Sequence, residues 1–461
     1  MNRPQGKAHA HSATLLFLAI FMSYCFPLRP LAQDNSAWFT EARFGMFIHF
    51  GLYSVPGGVW NGRVMGRNAY AEWIRMQEGW PNQGGIPKNE YDTLLKQFNP
   101  EYFDADEWVS EAKLAGMRYL IITAKHHDGF ALWNSGVSDY NVVKATPFKR
   151  NIIAEITAAC RKYGLKVGFY YSHWQDWEYP GGGLPPWPEI PGDPVVHQPS
   201  QEEFDRYWSQ KCLPQVEELI QNYHPDLLWF DSWGNRKEEL LTPARLRQLI
   251  SLVRKLSPQT LINSRIGTME GIDFISTDDN DFSSHGFQMP WETSGTMNRS
   301  WGYNRTDIMW KSTQSLLENL ISNVSKGGNY QLNIGPTGEG RILRPDIRRL
   351  REIGAWLYVN GEGIYGAGAT PYPEPAWGKL TQKRMPDGSV RLYAFVFNPE
   401  AGKELHLTGV SEKPKRAWVL ETGSTIHFEI FERKLNFQLP DLLPDSRITT
   451  IVFEMPGTKT Q

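Results

Sequence analysis

The chain has 461 residues, enough for one large domain and a smaller one. Its 48 Lys and Arg residues nearly balance 50 Asp and Glu residues, for a formal net charge of −2, which argues against a nucleic-acid partner and a polybasic membrane anchor. Aromatic residues make up 13% of the chain, including 18 Trp. This surplus suits either an aromatic core or the apolar faces of sugar rings, and composition alone does not choose between them.

The first residues of the chain, 1–32, are predicted to form an export signal. A short positive segment precedes the apolar run Ala13–Phe26, which is too short to span a membrane comfortably. Cys25 would allow a lipoprotein signal, but Tyr24 is a poor residue to precede a lipidated cysteine. We therefore predict simple export, to the periplasm or the medium, with no membrane segment left after the signal is removed.

Residues 33–367 alternate short apolar runs with amphipathic helical patterns. For example, the helical run "DADEWVSEAKLAG" leads into "MRYLIITAKHHDG", and "EEFDRYWSQKCLPQVEELIQNYH" leads into "PDLLWFDSWG". About eight nearly continuous apolar runs recur in this way, as a parallel sheet covered on both faces requires. A (β/α)8-barrel-like domain fits best. A doubly wound open sheet is the alternative, although no Gly-rich phosphate turn follows the first strand.

Residues 368–461 have a different pattern. Runs such as "SVRLYAFVFN", "TIHFEIFERKLNFQL" and "ITTIVFEM" are short, alternate apolar with polar residues and are separated by turn residues. No helical spacing occurs among them. This segment is predicted to be a small C-terminal antiparallel β-sandwich domain.

Polar side chains stand at the carboxyl ends of the predicted barrel strands. In a barrel these ends meet at one face, where reactive groups gather. We therefore predict one site at that face. In chain order its candidates are His49, His126, His127, Tyr171, His173, Trp174, Asp231, Arg265, Asp278, Asp279, Asp281 and Glu292.

The run "TAKHHDGFALWNS" raises the question of a metal site, because it ends a strand on two histidines. On an extended strand the side chains of His126 and His127 would point to opposite sides, which makes joint ligation of one ion difficult. No HExxH or repeated HxH pattern is present. We predict no metal and no cofactor, while a metal-dependent hydrolase on the same barrel remains an alternative.

Two carboxylates lie among aromatic residues. Asp231 ends the apolar run "DLLWFDSWG", and Glu292 follows Trp291 in "MPWETSGTMNRSWGYN". An aspartate at the end of such a strand is costly to bury unless it is partnered or used. A carboxylate pair of this kind suits glycoside hydrolysis, with one group as nucleophile or base and the other as acid. The carboxylates that compete with Glu292 are Glu270, Asp278, Asp279 and Asp281.

Several motifs together resemble the α-L-fucosidases of glycoside hydrolase family 29. They are "RFGMFIHFGLYS", "YAEWI", "AKHHDGFALWNS", "GFYYS", "LLWFDSWG", "INSR", "WETSGTMNRSWGYN" and "QLNIGPTGEG", which span most of the chain. The resemblance implies that Asp231 is the nucleophile and Glu292 the acid/base. It also implies a set of fucose-binding residues, namely His49, Glu72, Trp73, His126, His127, Tyr171, Trp229 and Arg265.

The activity implied by this resemblance is exo-acting, retaining α-L-fucosidase chemistry on fucosylated oligosaccharides or glycoconjugates. A fucose-binding lectin without catalysis is the alternative from another class, and the presence of both carboxylates disfavours it. The Gly- and Pro-rich insertion Tyr179–Pro194 is either a contributor to linkage preference or an ordinary surface loop.

Overall fold

The computed structural model describes most of the chain after the predicted export signal. The signal, residues 1–32, lies outside the described residues, and so does the larger part of the Tyr179–Pro194 insertion. None of the described helices is long and apolar enough to cross a membrane. The described residues are 35–66, 69–76, 85–184, 193, 197–232 and 237–456.

Eight parallel strands form one curled sheet, which confirms the predicted barrel-like domain. Around the sheet the strand order is β5–β4–β3–β2–β1–β8–β7–β6, and every neighbouring pair is parallel. A bridge between Asn263 and Phe274 joins the segments that follow β5 and precede β6. The strands are β1 (Phe44–Ile48), β2 (Tyr119–Lys125), β3 (Lys166–Tyr171), β4 (Leu227–Phe230), β5 (Leu261–Ile262), β6 (Ile275–Ser276), β7 (Trp291–Thr296) and β8 (Asn329–Ile334).

Helices connect most of these strands, and their ends follow local signals. Asp104 and Asn151 accept hydrogen bonds from backbone N–H groups of the first turns that follow them, and Gly164 ends a helix with positive φ. The described α-helices are Ala37–Ala42, Lys88–Tyr91, Ala105–Leu114, Val142–Ala145, Ile152–Tyr163, Gln201–Tyr207, Leu213–Tyr223, Lys237–Leu240, Pro243–Leu256, Thr313–Val324 and Arg344–Asn360; a π-helical turn spans Trp208–Cys212, and 3-10 turns span Leu52–Ser54, Ala71–Trp73, Asp92–Lys96, Ser264–Ile266 and Gly361–Gly363.

The barrel interior is filled by aromatic and aliphatic side chains from alternate strand positions. Phe47, Ile121, Tyr170, Leu227 and Trp229 pack in one buried cluster, as side chains of period two on a closed sheet must. The Tyr170 and Trp229 rings are stacked with centroids 5.4 Å apart. These inward positions form the bottom of any pocket that opens at the carboxyl ends of the strands.

Strand β2 contains one irregularity that matters for the site. Its register with β3 shifts between Thr123 and Lys125. The shift turns the Lys125 side chain out of the barrel, so that its ammonium lies over the Tyr171 ring at 4.6 Å. The next residue, His126, consequently faces the pocket, where its ring stacks on Tyr170 at 5.3 Å.

The C-terminal part of the chain forms two antiparallel sheets packed face to face, which confirms the predicted β-sandwich. One sheet has the order β9–β10–β15–β12 and the other β11–β14–β13, and their inner faces share one apolar core. The strands are β9 (Gly378–Arg384), β10 (Val390–Phe397), β11 (Glu404–Thr408), β12 (Arg416–Val419), β13 (Phe428–Phe431), β14 (Lys434–Gln438) and β15 (Ile448–Met455).

Candidate active site

Asp231 lies directly after β4 at the carboxyl face of the barrel and is the centre of the site. Its Oδ1 accepts a hydrogen bond from Arg265 Nη2 at 2.8 Å, and its Oδ2 accepts one from Tyr170 Oη at 3.1 Å. Burial alone would raise the pKa of Asp231, but the Arg265 charge, with smaller contributions from His127 and the hydrogen bonds, lowers it below the ordinary value. Asp231 is therefore ionised at neutral pH.

Arg265 bridges Asp231 to a second carboxylate, Asp279. Its Nη1 donates a hydrogen bond to Asp279 Oδ1 at 2.6 Å, while Nη2 donates the one to Asp231 described above. Burial would lower the pKa of Arg265, yet the two carboxylates raise it, so the guanidinium is a fixed cation. The guanidinium also lies over the Trp229 ring, 4.9 Å from its centroid. Two carboxylates thus share one planar group at the pocket mouth.

The loop that carries Asp279 is tied to strand β7. Asn280 has a positive φ of 54°, which asparagine tolerates better than most residues. Its Oδ1 accepts hydrogen bonds from the Thr296 backbone N–H at 3.0 Å and from Lys311 Nζ at 3.3 Å, and its own N–H donates to Ser294 O at 3.0 Å. These bonds hold Asp279 beside Arg265.

Three histidines line one side of the pocket. The rings of His126 and His127 are 4.4 Å apart, and those of His49 and His126 are 5.7 Å apart. The expectation that adjacent histidines point to opposite sides is therefore wrong here, because β2 ends at Lys125 and the chain turns at once, with Gly129 N–H donating to His126 O at 3.1 Å. All three side chains are buried and face one cavity.

Glu72 and Trp73 reach the same pocket from a 3-10 turn. The Trp73 ring lies 4.9 Å from His127 and 5.0 Å from Trp177. Glu72 Oε2 accepts a hydrogen bond from the Gly302 N–H at 2.8 Å. Burial raises the pKa of Glu72 to about 8, so this carboxyl is largely protonated at neutral pH and can donate a hydrogen bond to a ligand.

Tyr171, predicted to bind substrate, lies outside the barrel. Its hydroxyl donates to Gln215 Oε1 at 2.9 Å, under the surrounding helices. Tyr170 takes the predicted place inside, because successive side chains of a strand alternate between the two faces. The sequence "GFYYS" therefore supplies the expected tyrosine, but one position earlier.

Changing Tyr170 to Phe is expected to lower kcat/KM about 10–100-fold, because a buried hydrogen bond to a charged group contributes about 1.5–3 kcal/mol. Tyr171→Phe is the matched control, since it removes the same atom from the neighbouring residue without touching Asp231. Steady-state kinetics on the kind of substrate that the family resemblance implies, an aryl α-L-fucoside, should show the loss for the first variant and a change below about twofold for the second. Equal losses in both variants would contradict this placement.

Glu292, predicted to be the acid/base, is enclosed inside the barrel, with 0% exposure. It is the second residue of β7, far from the carboxyl end of that strand. Oε1 accepts hydrogen bonds from Trp229 Nε1 at 2.7 Å and Ser276 Oγ at 3.0 Å, and Oε2 accepts one from Tyr119 Oη at 3.1 Å. With both oxygens occupied beneath Trp229, its position argues against contact with a leaving group.

The pH dependence of stability offers a test of this buried position. Burial raises the pKa of Glu292 from 4.5 to about 7, against the opposing hydrogen bonds. The folded state favours the protonated form of Glu292. The contribution of this group to the free energy of unfolding is therefore complete below pH 4.5 and is lost as pH rises through about 7. Since a shift of one pKa unit corresponds to about 1.36 kcal/mol, the free energy of unfolding should fall by on the order of 3 kcal/mol over this range.

Glu292→Gln keeps the shape of the protonated side chain and has no proton to lose. Its stability advantage over the wild type, measured by urea unfolding, is expected to grow from pH 5 to pH 8. Parallel pH dependences in the two proteins would contradict a raised pKa for Glu292.

The remaining competing carboxylates lie at the surface. Glu270 is exposed, and its Oε2 lies 3.9 Å from Arg247 Nη1, which makes a weak surface ion pair. Asp278, Asp279 and Asp281 are also exposed, and of these it is Asp279 that contacts Arg265, at 2.6 Å. Among the carboxylates considered from the sequence, Asp279 is thus the one that the structure places beside Asp231.

A buried cluster of four charges, here called the charge cluster, lies behind the histidines. Lys125 Nζ donates to Asp176 Oδ2 at 2.6 Å, and Lys211 Nζ lies 3.0 Å from the same oxygen and 2.7 Å from Glu178 Oε2. Lys211 belongs to the π-helical turn. The cluster joins the end of β2 to the loop after β3, from which the Trp177 N–H donates to His127 O at 2.8 Å.

The donors and acceptors of the pocket suit a polyhydroxylated ligand. Neutral imidazoles, a protonated carboxyl and a guanidinium offer directional hydrogen bonds, and the rings of Trp73, Trp229 and Trp301 offer apolar contact. Within the described ranges no group of three or more His, Cys, Asp or Glu side chains is arranged to hold a metal ion.

Barrel enzymes that cleave glycosidic bonds place a pair of carboxyl groups in such a pocket, which makes a glycoside hydrolase the class that this architecture defines. Comparison with known proteins gives the family. The family model for α-L-fucosidases matches residues 23–362. Human plasma α-L-fucosidase is 30% identical over 347 residues, which cover 72% of this chain and 70% of that protein.

Solved structures agree with this match. The α-L-fucosidase from Vibrio sp. strain EJY3 is 32% identical with a TM-score of 0.81, over 92% of this chain and 73% of that one. A family 29 α-L-fucosidase from Bacteroides thetaiotaomicron, solved as a trapped covalent intermediate, is 28% identical with a TM-score of 0.78, over 92% and 96%. The chain belongs to the α-L-fucosidase family, glycoside hydrolase family 29.

Residues at the site that were not among the sequence candidates include Tyr170 and Trp301. They also include Ser172, which contacts His127 Nδ1, and Asn333, which contacts His49 Nδ1. Tyr170 shares the inward face of β3 with Gly168, whereas the apolar Val167 and Phe169 face outward with Tyr171, so counting from the apolar residues would select Tyr171. Asn333 lies in the family-like "QLNIGP" run, on an inward position of β8 where an amide needs a partner. Ser172 gives no signal of its own in the sequence.

Proposed function

We propose that the protein is an exo-acting, retaining α-L-fucosidase that releases terminal α-L-fucose from fucosylated glycans. The observation that carries this proposal is the ionised Asp231 carboxylate, held by Arg265 and Tyr170 in a pocket lined by imidazoles and aromatic rings. A carboxylate placed in this way is suited to attack an anomeric carbon. The trapped covalent intermediate of the Bacteroides relative supports the same route.

The reaction would proceed by two displacements. First, an Asp231 oxygen attacks the anomeric carbon, the bond to the glycosidic oxygen breaks, and that oxygen takes a proton from a carboxylic acid and leaves as an alcohol. Next, a water molecule attacks the same carbon, gives a proton to the carboxylate that has become the base, and releases Asp231. Two inversions return α-L-fucose.

Asp279 is proposed as the acid/base, in the place that the family resemblance gave to Glu292. Its side chain is 33% exposed and shares the Arg265 guanidinium with Asp231. Two carboxylates on adjacent nitrogens of one guanidinium are compatible with the separation of about 5–5.5 Å that retaining enzymes use. Once Asp231 is esterified, Asp279 is the carboxylate that remains paired with the Arg265 guanidinium.

The closed bottom of the pocket supports an exo mode. The rings of Tyr170 and Trp229 are stacked below Asp231, and Trp301 lies 5.2 Å from His49. Among the described residues, these side chains are buried in the barrel core and close the pocket below Asp231. A pocket of this kind would accept one terminal sugar.

Proton NMR of a fresh hydrolysis mixture tests the proposal. With an aryl α-L-fucoside as substrate, α-L-fucose should appear first and the β anomer only later, by mutarotation. First appearance of β-L-fucose would contradict retention. Binding of L-fucose without release from an aryl or a natural fucoside would favour the lectin alternative.

A further inference from the structure

Two pocket histidines are each bonded through Nδ1 to a side chain that is itself bonded to a backbone carbonyl. For His127 the partner is Ser172, whose Oγ is 2.6 Å from Nδ1 and donates to Gln175 O at 2.7 Å. A hydroxyl has one hydrogen, and a carbonyl only accepts. Both bonds therefore form only if His127 Nδ1 carries a hydrogen and donates it to Ser172 Oγ.

The amide of Asn333 imposes the same state on His49. Asn333 Nδ2 donates to Trp301 O at 2.8 Å, which leaves Oδ1 facing His49 Nδ1 at 2.7 Å. If the amide were reversed, Asn333 Oδ1 would face Trp301 O, and neither oxygen could donate, so that orientation is excluded. Since Oδ1 only accepts, His49 Nδ1 is the donor.

Both rings are neutral near pH 7. Burial lowers the pKa of His49 to about 3 and that of His127 to about 4. The charges that face His127 act in both directions, because Asp231 raises its pKa while Lys125 and Arg265 lower it. A neutral imidazole with its hydrogen on Nδ1 has a lone pair on Nε2.

The Nε2 atom of His127 faces two oxygen atoms of the pocket. It lies 3.6 Å from Asp231 Oδ2 and 3.4 Å from Tyr170 Oη. The Tyr170 hydrogen is already directed to Asp231. A ligand hydroxyl that donates a hydrogen bond would therefore match the Nε2 lone pair.

We propose that Ser172 and Asn333 are positioning residues that fix the tautomers of His127 and His49, so that both imidazoles accept hydrogen bonds from hydroxyl groups of the bound sugar. This inference rests on the proposed function for the identity of the sugar. It makes the sugar hydroxyl the donor in these hydrogen bonds, and this direction determines which substituted sugars can bind. A sugar hydroxyl facing either ring must donate, so an O-methyl, O-sulfo or fluoro substituent at that position is rejected.

Nitrogen-15 NMR of protein labelled at histidine tests the tautomers directly, whether or not the enzyme turns over. His127→Gln and His49→Gln assign the signals. At pH 7 both rings should show a protonated Nδ1 and an unprotonated Nε2. A proton on Nε2 of either ring, or a doubly protonated ring, overturns the proposal for that residue.

Binding tests the selectivity, with L-fucose and its monodeoxy and monofluoro analogues as probes. In the wild type, fluorine at a position facing His127 should weaken binding about 10–100-fold more than simple removal of the hydroxyl, because two acceptors then face each other in a buried site. In Ser172→Ala this excess should disappear, and in Ser172→Thr, which keeps the hydroxyl, it should persist. An unchanged pattern in Ser172→Ala overturns the role of Ser172.

Ser135→Ala is the control for the loss of a buried serine hydrogen bond. Its hydroxyl is buried and donates to Glu218 Oε2 at 2.8 Å, away from the histidines, so the selectivity should remain that of the wild type. Failure of the proposed function is recognised separately. If L-fucose does not bind and no fucoside is hydrolysed, the sugar is another one, while the tautomers are still decided by NMR.

Discussion

Replacing Asp231 with glycine is expected to lower kcat on an aryl α-L-fucoside by about four orders of magnitude or more, the scale on which loss of a nucleophile affects other enzymes with covalent intermediates. The glycine leaves space at the position of the lost carboxylate. Azide can occupy that space and attack the anomeric carbon in its place. Activity should therefore return in azide, and the product should be β-L-fucosyl azide, with inverted configuration.

Asp226→Gly is the matched control for this experiment. Asp226 stands at the opposite end of the same strand, where its carboxylate accepts hydrogen bonds from Lys166 Nζ at 2.6 Å and the Val167 N–H at 2.9 Å. This variant should lose stability, keep most of its kcat and give no azide product. Substantial activity of Asp231→Gly without azide would remove Asp231 from the role of nucleophile.

Asp279→Asn is expected to lower kcat/KM about 10²–10⁴-fold for natural fucosides, whose alcohol leaving groups need a proton. Substrates with an acidic phenol as leaving group need little help and should react well in the first step. Azide should then trap the covalent intermediate from the face that water uses. The product would be α-L-fucosyl azide, opposite in configuration to that of the nucleophile variant.

Glu292→Gln provides the comparison that separates the two candidate acids. If Glu292 only fills the barrel interior, this variant should keep its kcat/KM within a few-fold on every leaving group and form no fucosyl azide. A steep dependence on leaving-group acidity in Glu292→Gln, with Asp279→Asn unaffected, would restore Glu292 as the acid/base.

The sequence was informative wherever one strong pattern dominated. Continuous apolar runs between amphipathic helices predicted the barrel, because strands of a parallel sheet that is covered on both faces favour such runs. Asp231 was predicted for a related reason, since a carboxylate that ends such a run must be partnered. Its partner Arg265 was predicted from its position at a strand end and again from the family resemblance, and the structure places the two in direct contact.

The sequence misled where a shift of one residue along a strand decides which face of the sheet a side chain occupies. Tyr170 and Tyr171 have the same side chain, and only the alternation along β3 tells which one faces the pocket. The register shift in β2 then reverses the phase again and places His126 inside. Glu292 was predicted to be the acid/base because aromatic neighbours are typical of a pocket, but they also line the closed end of a barrel, and its depth along β7 is a property of the sheet.

The charge cluster restricts how this sequence can change over evolution. Lys125, Asp176, Lys211 and Glu178 balance only as a set of two cations and two anions, and the first three are fully enclosed. Loss of one member strands a charge away from water, at about 3–5 kcal/mol, a large share of the 5–15 kcal/mol that typically separates folded from unfolded protein. Substitutions that remove one charge of the charge cluster are therefore expected to be selected against. Descendants of this chain should keep all four charges or lose them in oppositely charged pairs.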